Sequence, residues 1–428
     1  MASDNNFKEL SYLVYGLGKT GRSVVNFLKK NQIKNYLVWD DKDKKSYKEK
    51  RPKNLFKALK ESDYIVLSPG INLKKTKNRK KIIKFKDKII TDIDFIFLQK
   101  KFFKSVVVTG TNGKSTTCKI IEHLLKKNGY KPLLGGNIGT PILNLKVTKK
   151  NFIIIEASSF QLAYSKFICP DFAFLLNITN DHLDWHGNMK NYIESKFKIF
   201  KIQKKNQYSF VNKALSKEFK KRSLSGKMLI PDIKTYKEVK SEIKNLYLNL
   251  EINDENMTFV YTFSNLLKIN RKSFLKSFDD FKGLPHRYEF FLKKKNCIFI
   301  NDSKATSFQA TKFALKSSKN IFWILGGLAK KNDKIVLKDL NENIIKSYII
   351  GNNLNFFKKQ IQNKVKIHKS IKLKNAIVQI LKDIKKFNGV KNVILLSPSA
   401  ASYDQYLNFE KRGNEFKKLS KYYADKYI

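Results

Sequence analysis

A lysine, two hydroxyl side chains and closely spaced glycines occur together at residues 110–116, Gly-Thr-Asn-Gly-Lys-Ser-Thr. The segment follows an apolar run at 106–108 and precedes a helix-like stretch at 118–127. Glycines let backbone N–H groups approach phosphate oxygens, the lysine adds a positive charge, and a Ser or Thr hydroxyl can bind Mg²⁺. Only two residues separate Gly110 from Gly113, which is not the usual P-loop spacing. The segment predicts a nucleotide-phosphate site, with an ordinary strand-to-helix turn as the alternative.

Two further side chains have the chemistry of a metal or phosphoryl-transfer site. Glu156 ends a buried-type strand, where an acid can reach Mg²⁺ held beside a P-loop hydroxyl. His182 follows another predicted strand (172–176) and lies between two aspartates, which favours a site role over a core role. Lys196 lies on a predicted helix at 192–200, and from the residues alone it is a solvated lysine.

A second nucleotide signal lies near the start of the chain. Residues 16–21, Gly-Leu-Gly-Lys-Thr-Gly, follow a short strand, and a second strand ends at Asp40. This is the dinucleotide fingerprint with its ribose-binding acid. A third strand ends in Ser68-Pro-Gly70. These turns predict a nucleotide-diphosphate site; alone they would suggest NAD, and well-formed turns with nothing bound are the alternative.

Strands that alternate with helices and end in glycine or polar residues predict an α/β fold. We expect three domains: a Rossmann-like domain at 1–100, a P-loop ATPase-type domain at 101–283 and a Rossmann-like domain at 284–428. Residues 257–281 read as helical, and a Gly/Pro hinge follows at 283–287.

The composition fits a globular protein of a reducing compartment. The 428 residues suffice for two or three domains, and 42% of them are hydrophobic. Three cysteines without a CxxC pair indicate a reducing compartment, here the cytoplasm, and no metal cluster. The polar first ten residues argue against a signal peptide. The apolar runs are strand-length, so no membrane partner is expected.

The formal net charge of +51 allows two interpretations. It can indicate binding to nucleic acid or to an anionic membrane. It can also reflect genome composition, because Lys, Asn, Ile and Phe share A/T-rich codons. The lysines are spread along the chain, and no zinc-finger, RNA-binding or basic-zipper pattern occurs. We therefore favour composition and expect no specific nucleic-acid partner, although a diffuse positive field still attracts anionic substrates.

Taken together, these motifs resemble those of the Mur ligases of bacterial cell-wall synthesis over nearly the full chain. The most similar branch adds D-glutamate to UDP-N-acetylmuramoyl-L-alanine. The resemblance is carried by residues 110–116, 136–139, 156 with 158–161, 177–184, 283–287, 302–306 and 408–413.

The resemblance implies an ATP-dependent amide ligase that works through an acyl phosphate. ATP and Mg²⁺ would be the cofactors, the partners would be the two small-molecule substrates, and the protein would be a monomer. The first domain would bind UDP, the central domain ATP, and the third domain D-glutamate. Groups from the hinge and the third domain would complete the ATP site on closure.

Individual roles carry over by position. Catalysis is assigned to Lys114, His182 and Lys196, and Lys196 would be carbamylated. ATP would contact Gly110, Thr111, Asn112, Gly113, Lys114, Ser115, Thr116, Arg287, Asp302 and Lys304. Mg²⁺ would be bound by Ser115 (or Thr116), Glu156, His182 and Lys196. The UDP part would contact Gly18, Asp40, Ser68 and Gly70. The muramoyl-alanine part would contact Asn137, Ser158, Gln161 and His182. D-glutamate would contact Thr306, Lys330, Ser402 and Phe409. Asn256 matches an adenine-site motif only loosely and is not assigned.

Other functions stay open at this point. A related ligase of another Mur step is the nearest alternative. A folylpolyglutamate synthetase would lack the hundred-residue nucleotide domain in front. A basic nucleic-acid-binding protein is the alternative from another class. An NAD oxidoreductase is disfavoured, because a second phosphate loop and a metal-type cluster follow the first.

The charge interpretation can be tested on immobilised DNA. We expect retention that falls steeply with salt and that declines gradually as successive groups of lysines are neutralised, because the charge is diffuse. Retention measured against NaCl concentration checks this. If neutralising one cluster abolishes retention, the chain has a localised nucleic-acid site instead.

Overall fold

The computed structural model describes residues 6–99, 103–245, 247–329, 333–387 and 389–428. These residues form three sheets, parallel but for one edge strand, whose strands alternate with helices, which confirms the predicted α/β class. The chain divides into two compact units. Unit 1 comprises Met1–Lys244 with Asn253–Asp279, and unit 2 comprises Asn245–Ile252 with Asp280–Ile428. Unit 1 holds the first two sheets. The domain boundaries at 100 and 283 stay predictions.

The first sheet is parallel in the order β2-β1-β3-β4. Its strands are β1 (Tyr12–Tyr15), β2 (Tyr36–Trp39), β3 (Tyr64–Leu67) and β4 (Ile89–Ile90), and its helices are α1 (Lys19–Lys30), α2 (Leu55–Glu61), α3 (Arg79–Ile83) and α4 (Asp94–Leu98). Strand β1 is buried throughout. The chain runs from β1 to β2 on one side of the sheet centre and from β3 to β4 on the other. These two connections diverge, and a crevice opens between them at the carboxyl ends of β1 and β3.

The second sheet is parallel in the order β10-β9-β8-β5-β7-β6. Its strands are β5 (Lys104–Thr109), β6 (Lys131–Gly136), β7 (Asn151–Glu156), β8 (Phe172–Leu175), β9 (Tyr208–Val211) and β10 (Lys227–Leu229). Its helices are α5 (Lys114–Lys127), α6 (Ser159–Tyr164), α7 (Leu183–His186), α8 (Met189–Phe197), α9 (Ser216–Lys220), α10 (Ile233–Lys240), α11 (Asp254–Leu266) and α12 (Arg271–Lys276). Central β5 therefore ends between the carboxyl ends of β7 and β8.

The third sheet, in unit 2, has the order β11-β12-β16-β13-β14-β15, with only β11 antiparallel. Its strands are β11 (Glu289–Lys294), β12 (Cys297–Asn301), β13 (Ile321–Gly326), β14 (Ile344–Ile350), β15 (Ile367–Ile371) and β16 (Asn392–Leu396). Its helices are α13 (Phe308–Lys316), α14 (Leu354–Ile361), α15 (Leu373–Ile384) and α16 (Phe409–Tyr427). Within the described ranges, no helix combines the length and the apolar character needed to cross a bilayer.

The helical prediction for 257–281 is confirmed in part, because the chain forms two separate helices there, Asp254–Leu266 and Arg271–Lys276. Helix α11 ends at Leu266, and Lys268 then adopts a left-handed conformation with φ of 58°. The Asn270 side chain accepts a hydrogen bond from the Ser273 N–H (2.8 Å) and caps α12. A side-chain cap satisfies a backbone N–H that would otherwise be unpaired at the start of the second helix.

The chain crosses between the two units three times. It leaves unit 1 after Lys244, returns at Asn253, and leaves again after Asp279. The short excursion is tied into unit 2, because the Asn245 side-chain amide donates to the Phe281 carbonyl (2.7 Å). Helices α11 and α12 therefore belong to unit 1, although they follow a segment of unit 2 in sequence.

Four phenylalanines bind α11 to the second sheet. Phe174 stacks on Phe210 with ring centroids 4.3 Å apart, and both rings meet Phe263 edge-on. Phe259 lies 6.0 Å from Phe174, and all four side chains are almost fully buried. Such aromatic pairs add to the stabilisation that burial alone provides.

Replacing Phe174 with Ala should lower the free energy of unfolding by about 3–5 kcal/mol, because it leaves a cavity inside this cluster. Urea unfolding monitored by circular dichroism measures the change. Phe56→Ala is the matched control, since Phe56 is 38% exposed. A loss at Phe174 no larger than at Phe56 would contradict the packing role.

Candidate active site

The glycine-rich loop joins β5 to α5, as predicted. Helix α5 begins at Lys114, and Gly113 before it has a left-handed backbone with φ of 81°. A Cβ at Gly113 would overlap the Asn256 side-chain oxygen. Position 113 therefore requires glycine for two reasons, its backbone conformation and the close approach of α11.

A side chain from the neighbouring strand end holds this loop in shape. The Asn177 amide oxygen, just beyond β8, accepts hydrogen bonds from the N–H groups of Thr111 (3.1 Å) and Asn112 (2.8 Å). The Asn177 amide nitrogen donates to Glu255 (2.7 Å), which also accepts from Asn212 (2.6 Å). The loop is thus preorganised by a polar network that extends into α11.

Two lysines meet at one carbonyl of the loop. The Gly110 carbonyl oxygen accepts from Lys114 Nζ at 2.9 Å and from Lys196 Nζ at 2.7 Å. Lys196 projects from α8, is 1% exposed, and its Nζ lies 4.7 Å from the ring centroid of Tyr192. Burial, followed by the charge of Lys114, lowers the pKa of Lys196 well below its usual value.

Glu156 lies beside the loop, because it pairs in register with Val108 of β5. One carboxylate oxygen accepts from the Asn137 amide nitrogen (2.8 Å). The other, Oε2, is buried and has no hydrogen-bond partner among the described residues. An unpaired oxygen of a buried carboxylate is costly, so this atom fits a site for a cation.

His182 lies on the rim of this region. It is the left-handed residue before α7, its side chain is 46% exposed, and its ring is 4.8 Å from the ring of Phe160. Its Nε2 lies 3.4 Å from a carboxylate oxygen of Asp181. The ring also meets Tyr192 edge-on at 6.4 Å, and Tyr192 in turn contacts Lys196.

Ser158 and Gln161 are brought together in a capping box at the start of α6. The Gln161 amide oxygen accepts from both the N–H (3.1 Å) and the hydroxyl (3.0 Å) of Ser158. The Gln161 amide nitrogen donates to Asp92 (3.1 Å), a residue between β4 and α4. Both ends of the Gln161 amide are therefore bonded to protein.

The nucleotide fingerprint is assembled at the crevice of the first sheet. Asp40 accepts from the N–H groups of Leu17 (2.6 Å), Lys42 (2.8 Å) and Asp43 (2.9 Å). Burial raises the pKa of Asp40, but these hydrogen bonds outweigh it and hold that pKa below its usual value. The Ser68 hydroxyl donates to the Gly16 carbonyl (2.8 Å), and a Cβ at Gly21 would overlap that carbonyl. Gly18 and Gly70 face open space.

Asp302 and Lys304, two of the site residues predicted for unit 2, follow the carboxyl end of β12. Asp302 accepts from the Ser397 hydroxyl (2.7 Å) and the Tyr288 N–H (3.1 Å), and burial raises its pKa to about 7. Lys304 Nζ lies 3.8 Å from the ring centroid of Phe409, the first residue of α16. Ser402 is buried, Arg287 and Thr306 are half-buried, and Lys330 lies outside the described residues.

Three residues that sequence reasoning left unassigned belong to the loop site. The Tyr192 hydroxyl bonds to the Thr111 hydroxyl (3.0 Å), and Asn256 accepts from the Thr117 hydroxyl (3.1 Å). Asn177 is the third. Tyr192 and Asn256 reach the loop in space and not in sequence, whereas Asn177 begins the motif at 177–184 but contacts a different motif, the loop at 110–116. Ser115 and Thr116 lie in the first turn of α5, and Thr116 is buried.

Family models and full-length relatives agree on one family. Residues 108–267 match the Mur ligase middle domain, and residues 11–89 match the MurD-like N-terminal domain of Mur ligases. A UDP-N-acetylmuramoylalanine–D-glutamate ligase of Rickettsia felis is 36% identical, covering 96% of this chain and 97% of its own. An enzyme of the same name from Buchnera aphidicola is 35% identical, covering 97% and 99%.

Solved structures agree on the fold. MurF of Thermotoga maritima, determined in complex with ADP, has a TM-score of 0.56 at 17% identity and covers 98% of this chain and 97% of its own. MurC of the same organism has a TM-score of 0.55 at 14% identity, covering 97% and 100%. The chain therefore belongs to the Mur ligases, the ATP-dependent ligases of peptidoglycan-precursor synthesis, and groups with the UDP-N-acetylmuramoylalanine–D-glutamate ligases.

Proposed function

We propose that this ligase uses ATP and Mg²⁺ to join D-glutamate to UDP-N-acetylmuramoyl-L-alanine. The relatives' names supply the two substrates. The observation that carries the proposal for this chain is the meeting of Lys114 and the buried Lys196 at the Gly110 carbonyl. A cationic Lys114 and a second lysine that can be converted to a metal-binding carbamate, both at one loop, fit a reaction in which negative charge develops on a transferred phosphoryl group.

The reaction has two steps. An oxygen of the substrate carboxylate bonds to the γ-phosphorus of ATP, and ADP leaves. The amine nitrogen of D-glutamate then bonds to the acyl carbon, and inorganic phosphate leaves with the acyl-phosphate oxygen. Lys114 and the N–H groups at the start of α5 are assigned to the phosphates, because a helix N-terminus after a glycine loop favours anions.

Lys196 is assigned to the reaction as its carbamate. A neutral amine can bond to the carbon of CO₂ and release a proton, which turns the lysine into a carboxylate. The lowered pKa of Lys196 favours the neutral amine that this step needs. The product would place an anion beside the positively charged Lys114, where the two charges attract each other.

The donor set fits Mg²⁺, a hard cation that prefers oxygen ligands and keeps several waters. Glu156 Oε2 is the unpaired oxygen, and a hydroxyl of the first turn of α5 is the second candidate. The described residues contain no group of three or more His, Cys, Asp or Glu side chains suited to a metal. A carbamate at Lys196 would add the missing oxygen ligand. When bound, Mg²⁺ would neutralise phosphate charge.

The remaining site residues are proposed from their positions in the motifs. Gly18, Asp40, Ser68 and Gly70 line the first crevice and are assigned to UDP. Asn137, Ser158, Gln161 and His182 are assigned to the muramoyl-alanine part. In unit 2, Arg287, Asp302 and Lys304 are assigned to ATP, and Thr306, Lys330, Ser402 and Phe409 to D-glutamate. The enzyme is proposed to act as a monomer in the cytoplasm.

Phosphate release tests the substrate assignment. With ATP, Mg²⁺ and UDP-N-acetylmuramoyl-L-alanine, we expect turnover with D-glutamate and background rates with L-glutamate, L-alanine and meso-diaminopimelate. Omitting the nucleotide substrate is the control for simple ATP hydrolysis. Turnover with another amino acid in place of D-glutamate would contradict the proposed specificity for D-glutamate.

Replacing Lys196 with Ala should lower kcat by roughly a thousandfold, since a preorganised charged group at the phosphoryl site is lost. Short carboxylic acids such as acetate should restore part of the activity by supplying the missing carboxylate. Lys190→Ala is the matched control, because Lys190 is exposed on the same helix. Full activity of the Lys196→Ala enzyme without added acid would refute the carbamate role.

A further inference from the structure

We propose that Asp92 is a positioning residue for the muramoyl-alanine side of the active site, acting through Gln161 on Ser158. Asp92 is 1% exposed, so it would act on the site through its neighbour and not by touching a substrate. This role rests on the proposed function, because it assigns Ser158 to the nucleotide-linked substrate.

Asp92 fixes the orientation of the Gln161 amide. An ionised carboxylate only accepts hydrogen bonds, so the Gln161 amide nitrogen must face Asp92, at 3.1 Å. The amide oxygen is then turned toward Ser158. There it accepts both the N–H and the hydroxyl hydrogen of Ser158. The Asp92 carboxylate therefore decides that Ser158 donates to Gln161 and that Gln161 donates to Asp92.

The consequence appears at the Ser158 hydroxyl. Its hydrogen is engaged by Gln161, and one of its lone pairs accepts from the Gln161 N–H (3.3 Å). The second lone pair of the Ser158 hydroxyl oxygen remains to accept a hydrogen bond from a ligand. Ser158 is therefore presented as a hydrogen-bond acceptor, which suits an N–H or O–H donor of the muramoyl-alanine moiety and not a carbonyl or a carboxylate.

The neighbouring Asp94 provides a comparison within the same segment. Asp94 is equally buried, but it accepts from the backbone N–H groups of Thr91, Lys166 and Phe167 at 2.7 to 2.9 Å. Those hydrogen bonds join two backbone segments through the Asp94 side chain, so Asp94 has a structural role. Asp92 differs from Asp94 in that its carboxylate also accepts from the side chain of Gln161, a residue that bonds to a proposed substrate contact.

Burial raises the carboxyl pKa of Asp92, as it does that of Asp94, so ionisation of Asp92 carries a stability cost. Burial raises the pKa of Asp92 to about 6, with the nearby Asp94 adding to the shift. A raised carboxyl pKa means that the folded state holds its proton more tightly than the unfolded chain does. Stability is therefore lost as pH rises from the ordinary carboxyl pKa through about 6, and at neutral pH the ionised form destabilises the fold.

The test is Asp92→Asn in the full-length enzyme, with steady-state kinetics and thermal unfolding. An asparagine can donate as well as accept, so Gln161 is free to flip and Ser158 loses its fixed polarity. We expect the KM for UDP-N-acetylmuramoyl-L-alanine to rise roughly tenfold, the value of about one hydrogen bond. The KM values for ATP and D-glutamate should stay unchanged, and the melting temperature at pH 7.5 should rise.

A reciprocal exchange separates polarity from packing. When Asp92→Asn is combined with Gln161→Glu, the amide introduced at position 92 donates to a carboxylate that again accepts from Ser158. The KM for the nucleotide substrate should recover most of its loss. Asp94→Asn is the matched control, for which we expect a lower melting temperature and no selective change in that KM.

Three results would overturn the proposal. They are an unchanged KM for the nucleotide substrate in Asp92→Asn, a parallel rise in all three KM values with a lower melting temperature, and no recovery in the double variant. Absence of wild-type turnover with UDP-N-acetylmuramoyl-L-alanine would instead count against the proposed substrate. The same comparison is then made with the nucleotide-linked acid that does support turnover.

Discussion

Two lysine side chains at one carbonyl oxygen set the central constraint on this molecule. Lys114 and Lys196 come from different helices, and both donate to Gly110. Bringing two like charges together inside a protein is unfavourable unless one is neutral or an anion arrives. This arrangement depends on the conformation of the glycine loop and on the position of α8, which buries Lys196 beside that loop. An anionic ligand at the loop would therefore relieve repulsion as well as gain contacts.

Polar side chains at the strand ends keep that arrangement in register. Asn177 fixes the loop backbone, Asn137 holds one oxygen of Glu156, and Asp40 bridges the ends of β1 and β2. Each comes from a strand end or the connection next to it, so the parallel strands place these side chains at the carboxyl edge of the sheet to which they belong. The sites thus depend on sheet order as much as on the motifs themselves.

Much of this arrangement follows from local patterns in the sequence. Apolar runs ending in glycine or polar residues predicted the strands and the loop from β5 to α5. The spacing to Asp40 predicted the fingerprint, because the fingerprint and its acid are a local βαβ feature. The break between α11 and α12 was not predicted, because apolar residues continue on both sides of it and a single asparagine, Asn270, marks the start of the second helix.

Long-range contacts account for what sequence reasoning did not find. Lys196 has an ordinary helical context, and only the family resemblance singled it out; its burial depends on α8 packing beside a loop more than eighty residues away. Tyr192, Asn177 and Asn256 meet the loop only through the fold. The hydrogen bonds that join Gln161 to Asp92 likewise link residues 69 positions apart, which no local pattern indicates.

The order in which the chain visits its two units bears on how the protein emerges from the ribosome. Unit 1 is incomplete until α11 and α12 have been made, because the aromatic cluster around Phe174 needs Phe259 and Phe263. By then the excursion Asn245–Ile252 has already been synthesised, and it must wait for Asp280–Ile428 before it has a partner. A nascent chain therefore carries a loop that belongs to a unit not yet made. A fragment cut at Lys244 would expose the face of the second sheet that α11 covers.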